Sequence, residues 1–209
     1  MTAFGEEVRA LAAAAAEWRL LSLLLSRPRE GWHEDLSAVA SEVSDAALRE
    51  AARATCCARE GAYHALLGPG GPASAREAAY AVFADPGRIL ADLAARYEAF
   101  GFAARAEEPG DHLAVLCGFV SYLYLKEAFA AARGHDDEAL VTREERTRFL
   151  AEHVSIAGRG FAARLPDGAP EHLRAAAAAL TARLPEVPPG PARGPEDPLE
   201  GGCPAGGCK

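Results

Sequence analysis

The most constraining feature of this sequence is an acidic, proline-containing turn that runs directly into a long apolar stretch, residues 113–125. Because the stretch is apolar on nearly every side, it predicts a buried central helix. Glu107 and Glu108 precede it, where the positive end of a helix dipole favours negative charge. Pro109 suits a first helical turn, because the N–H that it lacks would have no partner there.

Asp111 and His112 complete the start of this predicted helix. They place a hydrogen-bond acceptor and a titratable ring beside the unpaired N–H groups of the first turn. One interpretation is a structural cap, which contributes about 1 kcal/mol. The other is a ligand-binding pair, in which Asp111 accepts from an arginine and His112 donates to a carbonyl. Adjacent helical residues point about 100° apart, so the sequence does not favour a catalytic dyad.

Helical periodicity extends over most of the chain. Apolar residues recur at steps of three and four, and no segment alternates as a half-buried strand does. The fold class is therefore predicted to be all-α, a single-domain helical bundle. Cap and breaker signals predict a stop at Arg27-Pro28, one stretch from Asp45 to Leu67, a short helix from Ser74 to Phe83 with Glu77 in a capping box, a helix from Asp85-Pro86 to Gly101, the apolar helix to Gly134, a helix opened by Thr142 with Glu145, and helices over 155–164 and 170–184.

The end of the chain differs in composition from the rest. From residue 185 onward it consists mostly of proline, glycine and charged residues, with almost nothing to bury. Such segments do not form a packed core. We therefore predict a helical domain over residues 1–184 and a disordered tail over residues 185–209.

The chain has five cysteines. Cys56, Cys57 and Cys117 fall in helical stretches and are interpreted as small hydrophobic residues of a reducing compartment. Cys203 and Cys208 lie in the tail with four residues between them. Three interpretations stay open for this pair: a metal site completed by a partner, a labile disulfide, or no role.

Composition limits the possible partners. The net charge of −8 and the pI near 5.3 argue against a nucleic-acid partner bound through its phosphates. They suit a basic peptide such as an Arg-Arg signal, although solubility alone also explains such a charge. Glu6 and Glu7 stand where a secretory signal would carry positive charge. The longest apolar run is about 13 residues, short of the roughly 20 that span a bilayer. We therefore expect a cytoplasmic protein without stable membrane insertion.

Motifs for catalysis and metal binding are not found. The sequence contains no dinucleotide-binding or P-loop glycine pattern, no nucleophile elbow, and no paired Glu-x-x-His set of a helical di-iron site. No catalytic residue and no metal ligand is therefore predicted. The scattered histidines are interpreted as surface or internally bonded rings: His33, His64, His135, His153 and His172.

Residues 108–113, Glu-Pro-Gly-Asp-His-Leu, resemble the E-P-x-D-H-[IL] signature of the TorD/DmsD/NarJ family. These are cytoplasmic chaperones that mature molybdenum-containing oxidoreductases. Further segments resemble the family in order and spacing, from about residue 15 to about residue 165. They are residues 66–71 followed by 76–80, as in L-F-x-G-P and E-S-x-Y; Tyr97 with Gly101; and Phe149-Leu150-x-x-His153-Val154 followed by Phe161, as in F-L-x-x-H-L…F.

Two positions depart from the family pattern. Ala75 and Arg76 stand where many members carry an aromatic residue, before the E-S-x-Y segment. Ala157 or Gly158 stands where the family has a tryptophan, in the helix after the F-L-x-x-H motif. These departures blur the subfamily, and with it the identity of the client enzyme.

The resemblance implies a function. A chaperone of this family would bind the N-terminal or twin-arginine signal segment of the apo catalytic subunit of a molybdopterin oxidoreductase, and would assist cofactor insertion and assembly before export. It would carry no cofactor of its own, apart from transient contact with the client's molybdenum cofactor. A monomer and a helix-swapped dimer, hinged at residues 68–72 and 106–110, both stay open. The site residues that the resemblance implies are Glu77, Tyr80, Glu108, Pro109, Asp111 and His112.

Two alternatives from other classes remain. One is a helical nucleotide-binding or hydrolytic enzyme that uses Asp111 and His112. The other is an acidic helical scaffold without a client of this type. A gene for a molybdopterin oxidoreductase beside the gene for this chain would favour the chaperone.

Overall fold

The computed structural model describes residues 3–82, 84–104 and 108–186. Over these ranges the chain forms helices and no strand, and a lone antiparallel β-bridge joins Arg76 to His112. The all-α fold predicted from the sequence is confirmed. The α-helices in chain order are α1 Ala3–Leu24, α2 Trp32–Glu42, α3 Ala46–Arg53, α4 Glu60–Leu67, α5 Pro86–Phe100, α6 Leu113–Ala132, α7 Asp136–Phe149, α8 Ser155–Arg164 and α9 Glu171–Ala182.

The apolar helix α6 is the centre of the fold, as the sequence predicts. Most of its side chains are buried. α1 packs along it in the opposite direction, and two buried serines show this. The Ser22 hydroxyl donates to the Ala114 carbonyl and the Ser121 hydroxyl donates to the Ala15 carbonyl, each over 2.7 Å. These bonds satisfy polar groups that would otherwise be costly to bury between the two helices.

By length and composition alone, α6 could cross a membrane. Its 20 residues exceed the apolar run of about 13 residues noted in the sequence, because alanines extend the helix beyond Leu125. However, 67% of its most apolar window is covered by the rest of the protein. That coverage is typical of the core helix of a folded domain.

Several helix boundaries agree with the sequence analysis. The Asp45 side chain accepts from the backbone N–H groups of Ala47 and Leu48, and so caps α3. Asp85 caps α5, whose first residue is Pro86. Gly101 ends α5 in the left-handed conformation, with φ of 71°.

Three boundary predictions are wrong. The stretch from residue 45 to residue 67 is two helices, separated by a 3-10 turn at Ala54–Cys57 and by extended backbone at Ala58. The capping box at Ser74 and Glu77 does not form, because the Glu77 side chain bonds elsewhere, and only a 3-10 turn at Glu77–Ala79 results; Phe83 lies outside the described residues. Thr142 does not open a helix, since α7 already begins at residue 136.

The sequence pattern does not predict α2. Its N-cap is Gly31, which has a left-handed backbone and no side-chain cap. Only two of its residues, Trp32 and Leu36, are buried, so its apolar period is weak. Trp32 explains why the helix docks: its indole N–H donates to the Leu23 carbonyl over 2.8 Å at the end of α1.

α7 and α8 form one continuous helix that contains a π turn, Leu150–Val154. The Ser155 hydroxyl donates to the Leu150 carbonyl within this turn. Such turns are rare and occur frequently at functional sites. His153 lies in the turn and is buried.

The predicted tail lies almost wholly outside the described part of the chain, which ends at Glu186. The boundary near residue 184 and the disorder of the tail therefore stay predictions. The same holds for Cys203 and Cys208, which both fall beyond the described residues.

A buried carboxylate on α6 provides a test of how the helices are held together. Glu127 is fully buried and accepts from Arg143 Nε over 2.7 Å and from Arg146 Nη2 over 2.8 Å, both on α7. Glu127→Gln replaces one acceptor with a donor that faces a guanidinium group. We expect the free energy of unfolding to fall by about 1.5–3 kcal/mol, measured by urea denaturation.

The matched control is Glu171→Gln, which breaks an exposed ion pair with Arg174 on α9. Exposed pairs contribute at most about 1 kcal/mol, so this variant should unfold almost as the parent does. Equal losses in the two variants would contradict a structural role for the Glu127 network.

Candidate functional site

Three sequence segments that carry the family resemblance meet at one place in the fold. The segment from residue 73 to residue 80 lies against residues 111–113, at the start of α6. The Leu113 N–H donates to the Ala75 carbonyl over 2.7 Å, and the Glu77 N–H donates to the Asp111 carbonyl over 3.0 Å. The π turn approaches from the other side through His153. We call this meeting point the junction.

The Asp111 carboxylate is the fully buried centre of the junction. It accepts from Arg76 Nε over 2.9 Å, from Arg76 Nη2 over 2.9 Å, and from the Ala78 N–H over 3.3 Å. The two guanidinium contacts form a charge-assisted fork. Arg76 lies in the region where many family members carry an aromatic residue. In this chain, the residue that departs from the family pattern is therefore the ion-pair partner of Asp111.

His112 is the N-cap of α6 and is also buried. Its Nδ1 accepts from the Ala114 N–H over 3.1 Å, so in the neutral ring the proton lies on Nε2. Nε2 then donates to the Tyr63 hydroxyl over 2.9 Å, and that hydroxyl donates to the Leu25 carbonyl over 3.2 Å. Burial lowers the pKa of His112 to about 4.

The turn before α6 differs in one respect from the sequence analysis. Pro109 is not in the first helical turn, because α6 begins only at Leu113; its carbonyl instead accepts from the His112 N–H over 2.9 Å. The Glu108 carboxylate accepts from the Arg27 backbone N–H over 3.0 Å and so fixes the end of α1. Glu107 lies outside the described residues.

Glu77 is buried and contacts the imidazole of His153. Nδ1 of His153 lies 3.0 Å from both carboxylate oxygens of Glu77, and Nε2 lies 3.0 Å from Asp92 Oδ2. Ionised carboxylates only accept hydrogen bonds, so the imidazole is the donor toward Glu77 and Asp92. Arg96 in turn binds Asp92 over 3.0 Å. This chain of contacts fastens the segment at residue 77 to α5 and to the π turn.

Tyr80 lies outside the junction and packs on α8. Its hydroxyl donates to the Ser74 carbonyl over 2.6 Å, and its ring covers Gly160. A Cβ atom at Gly160 would lie 2.3 Å from that ring, so only glycine permits the contact. The ring forms one wall of a groove of about 520 Å³, here called the Tyr80 groove. It is lined by Ala79, Tyr80, Val82, Ala151, Ser155, Ile156, Arg159, Gly160, Arg164, Pro185 and Glu186.

A second groove, the Arg19 groove, lies between α1 and the first half of α6, with a volume of about 430 Å³. Its described lining carries three guanidinium groups and one carboxylate. The lining beside Glu108 is therefore mostly basic. It is lined by Arg19, Ser22, Leu23, Ser26, Arg27, Arg29, Phe102, Ala103, Ala104, Glu108, Ala114, Val115 and Gly118.

The chemistry that the junction can perform follows from these contacts. Both ring nitrogens of His112 and the carboxylate of Asp111 are engaged in internal hydrogen bonds, and neither side chain reaches the surface. The geometry therefore does not favour the enzyme alternative. In residues 3–82, 84–104 and 108–186, no group of three or more His, Cys, Asp or Glu side chains is arranged to hold a metal ion.

These features define the class of protein: an all-α domain with a buried polar junction at the start of its central helix. The family model described as nitrate reductase delta subunit matches residues 4–156. The chain belongs to this family, which is a family of molybdoenzyme maturation chaperones, and the family predicted from the sequence is thereby confirmed. Neither a curated protein nor a solved structure matches the chain.

The structure unites some predicted site residues and separates others. Glu77, Asp111 and His112 meet at the junction, whereas Tyr80 opens into one groove and Glu108 lines the other. Several partners of these residues are not predicted from the sequence. Arg76 and His153 lie inside the motifs that carry the resemblance. Both are basic residue types, and this was the signal that could have matched them with the acidic Asp111 and Glu77. Tyr63 and Asp92 gave no signal, because their contacts arise only from the fold.

The aspartate at the junction is expected to matter for stability far more than a surface cap would. Asp111→Asn keeps the shape of the side chain but removes the charge that faces Arg76. Since a hydrogen bond to a charged group contributes about 1.5–3 kcal/mol, we expect the free energy of unfolding to fall by at least that range. Urea denaturation followed by circular dichroism measures it, with Asp137→Asn on the exposed start of α7 as control. A loss below 1 kcal/mol would fit a simple cap.

The lowered pKa of His112 predicts a pH effect on stability. The folded-state pKa of about 4 lies below the ordinary value of 6.5. The unfolded chain therefore binds this proton first as the pH falls, and the stability contributed by neutral His112 is present above pH 6.5 and is lost between about pH 6.5 and 4. His112→Gln should make the decline across this window shallower than in the parent.

Urea denaturation at pH 7, 6 and 5 measures that decline. The control is His64→Gln, because His64 is exposed on α4, and it should leave the slope unchanged. A slope in His112→Gln equal to that of the parent would show that His112 does not resist protonation in the folded state.

Proposed function

We propose that this protein is a cytoplasmic chaperone for the catalytic subunit of a molybdenum-containing oxidoreductase. It binds the N-terminal or twin-arginine segment of the apo subunit and holds it while the cofactor is inserted, before export. The molybdenum cofactor belongs to the client and contacts the chaperone only transiently. The match to the nitrate reductase delta subunit family over residues 4–156 is the observation that carries this proposal.

The Tyr80 groove is the surface that we assign to the client segment. Val82 is 75% exposed and Ile156 is 40% exposed, and both line this groove. Large apolar side chains that stay exposed in a concave surface are typical of protein-binding sites. An apolar or amphipathic client segment that lies in the groove would cover them, in the helix-in-groove manner.

The junction supports this groove from behind. Asp111 holds the Ala78 N–H, and Glu77 is fastened to His153, so the chain that carries Tyr80 has little freedom to move. In this proposal, Tyr80 contacts the client and Glu77, Asp111 and His112 position it. The prediction that Asp111 and His112 themselves touch the client stays a prediction, and their burial means that the junction would first have to open.

Charge bears on which kind of segment is bound. Arg159 and Arg164 line the Tyr80 groove beside one carboxylate, Glu186. Such a lining favours backbone carbonyls and acidic side chains in the ligand. In the Arg19 groove, Glu108 is the carboxylate in the described lining that could receive a client arginine. The choice between a leaderless N-terminus and a twin-arginine leader therefore depends on Glu108.

The test begins with affinity capture of the full chain from its native cytosol and identification of the subunit that co-purifies. A peptide with that subunit's first residues then serves as the probe, and its Kd is measured by calorimetry. Val82→Asp places a charge in the apolar groove and should weaken binding at least about tenfold, a difference of about 1.4 kcal/mol. Leu140→Asp is the matched control, because Leu140 is 51% exposed on α7 and does not line the groove.

The outcomes separate the alternatives. Equal affinity of the two aspartate variants would remove the Tyr80 groove from the proposal. If a peptide whose arginines are replaced by glutamine loses affinity for the parent but not for Glu108→Gln, the leader is recognised through Glu108. Turnover of a nucleotide or an ester by the parent, abolished in Asp111→Asn, would instead establish the enzyme alternative.

A further inference from the structure

One guanidinium group in the Tyr80 groove has only part of its hydrogen-bonding capacity satisfied. Arg159 Nη2 donates to the Pro185 carbonyl over 2.5 Å. The neighbouring Nε of Arg159 is buried and has no hydrogen-bond acceptor among the described residues. A buried donor without an acceptor costs free energy, and such a group in a folded protein calls for a physical reason. A site that waits for a ligand is one such reason.

Other arginines of this chain show what the same edge of the guanidinium group binds. Nε and Nη2 form a fork of N–H donors that matches a carboxylate. Arg76 uses both atoms for Asp111, each over 2.9 Å. Arg183 uses both atoms for Glu17, over 3.2 Å and 3.0 Å. At Arg159 the same edge has a neutral carbonyl on one atom and no acceptor on the other, so a carboxylate would satisfy it better.

The segment that now occupies Arg159 can be displaced. Leu184 is buried beside Gly158 of α8, whereas Pro185 and Glu186 are exposed. Within the described part of the chain, a single hydrogen bond, from Arg159, ties residues 185–186 to the groove. A Cβ atom at Gly158 would lie 3.2 Å from Leu184, so a larger residue there would push the segment away. Gly158 is one of the two residues that stand where the family has a tryptophan, and its small size lets the segment reach the groove.

The rest of the groove suits a ligand that is both apolar and acidic. Arg164 adds a second guanidinium group, which lies 5.6 Å from the centre of the Tyr80 ring. Val82 and Ile156 offer exposed aliphatic surface in the same groove. A segment with aliphatic side chains and one carboxylate would cover the apolar surface and neutralise positive charge at the same time.

We infer that Arg159 receives a carboxylate of the client segment, and that Pro185 and Glu186 close this position in the free protein. The inference rests on the chaperone function proposed above and names the chemical class of the segment. The incoming carboxylate accepts from Nε and Nη2 of Arg159 and replaces the Pro185 carbonyl. The chain thus carries its own competitor, which a segment without a carboxylate displaces poorly.

The experiment uses the full chain and two synthetic peptides, acetyl-Ala-Leu-Leu-Asp-Leu-Leu-Ala-amide and its counterpart with Asn in place of Asp. Calorimetry should give a Kd at least about tenfold lower for the Asp peptide, since only a carboxylate forms charge-assisted bonds with the fork. Arg159→Lys keeps the positive charge but not the fork, so most of this preference should be lost. Arg174→Lys is the matched control, because Arg174 lies on α9 outside the groove lining, and it should keep the preference.

Nuclear magnetic resonance on the parent chain tests the displacement without any substitution. The Glu186 N–H belongs to the same peptide group as the Pro185 carbonyl, so its signal reports on the bond to Arg159. We expect the Asp peptide to shift the Arg159 Nε–H signal and to sharpen the Glu186 amide signal as residues 185–186 are released. The Asn peptide at the same concentration should change both signals less.

Equal Kd values for the two peptides, or no binding of either, would overturn the inference. So would a Glu186 amide signal that stays unchanged while the Asp peptide is bound. Capture of an oxidoreductase subunit whose segment binds in the Tyr80 groove without any need for a carboxylate would keep the chaperone function and remove the role of Arg159. A preference for the Asp peptide in a chain that captures no such subunit would keep the carboxylate site and remove the chaperone function.

Discussion

The arrangement of the whole site depends on one buried carboxylate. Asp111 has no access to solvent, and burial of an ion is costly unless its charge and lone pairs are satisfied. Arg76 and the Ala78 N–H satisfy them, and both belong to a segment with little regular structure of its own. The same aspartate therefore fixes where α6 begins and where the following tyrosine, Tyr80, can lie. The ion pair thus adds to the backbone hydrogen bonds that join residues 75 and 77 to the start of α6.

The sequence predicted the parts of the fold that depend on local pattern. The apolar stretch after residue 112 is the central helix, and Asp85, Pro86 and Gly101 mark α5 as their chemistry requires. The errors arose where tertiary contacts override local signals. Glu77 was expected to cap its own helix, but a histidine 76 residues away binds it instead. No spacing of residues along the chain predicts such a contact.

The site could be predicted only in part for a related reason. Motif resemblance identified Glu77, Asp111 and His112 as residues that matter, but could not say whether they face solvent. The structure places all three inside and leaves Tyr80 with exposed apolar neighbours to form the surface. The charge of the grooves also depends on residues distant in sequence, because arginines from α1 and from the α1–α2 connection gather beside Glu108. The two grooves are thus locally cationic, although the net charge of the chain is negative.

The π turn at Leu150–Val154 has a consequence for the register of everything that follows it. A turn of this kind holds one residue more than an α-helical turn. Because the extra residue is accommodated within the turn, removing a single residue there would restore ordinary α geometry and leave α8 close to its present orientation. Gly160 would still face Tyr80, whereas His153, which lies in the turn itself, would lose its direction toward Glu77. A change in the length of this turn therefore affects the buried contact of His153 and spares the packing of Tyr80 on α8.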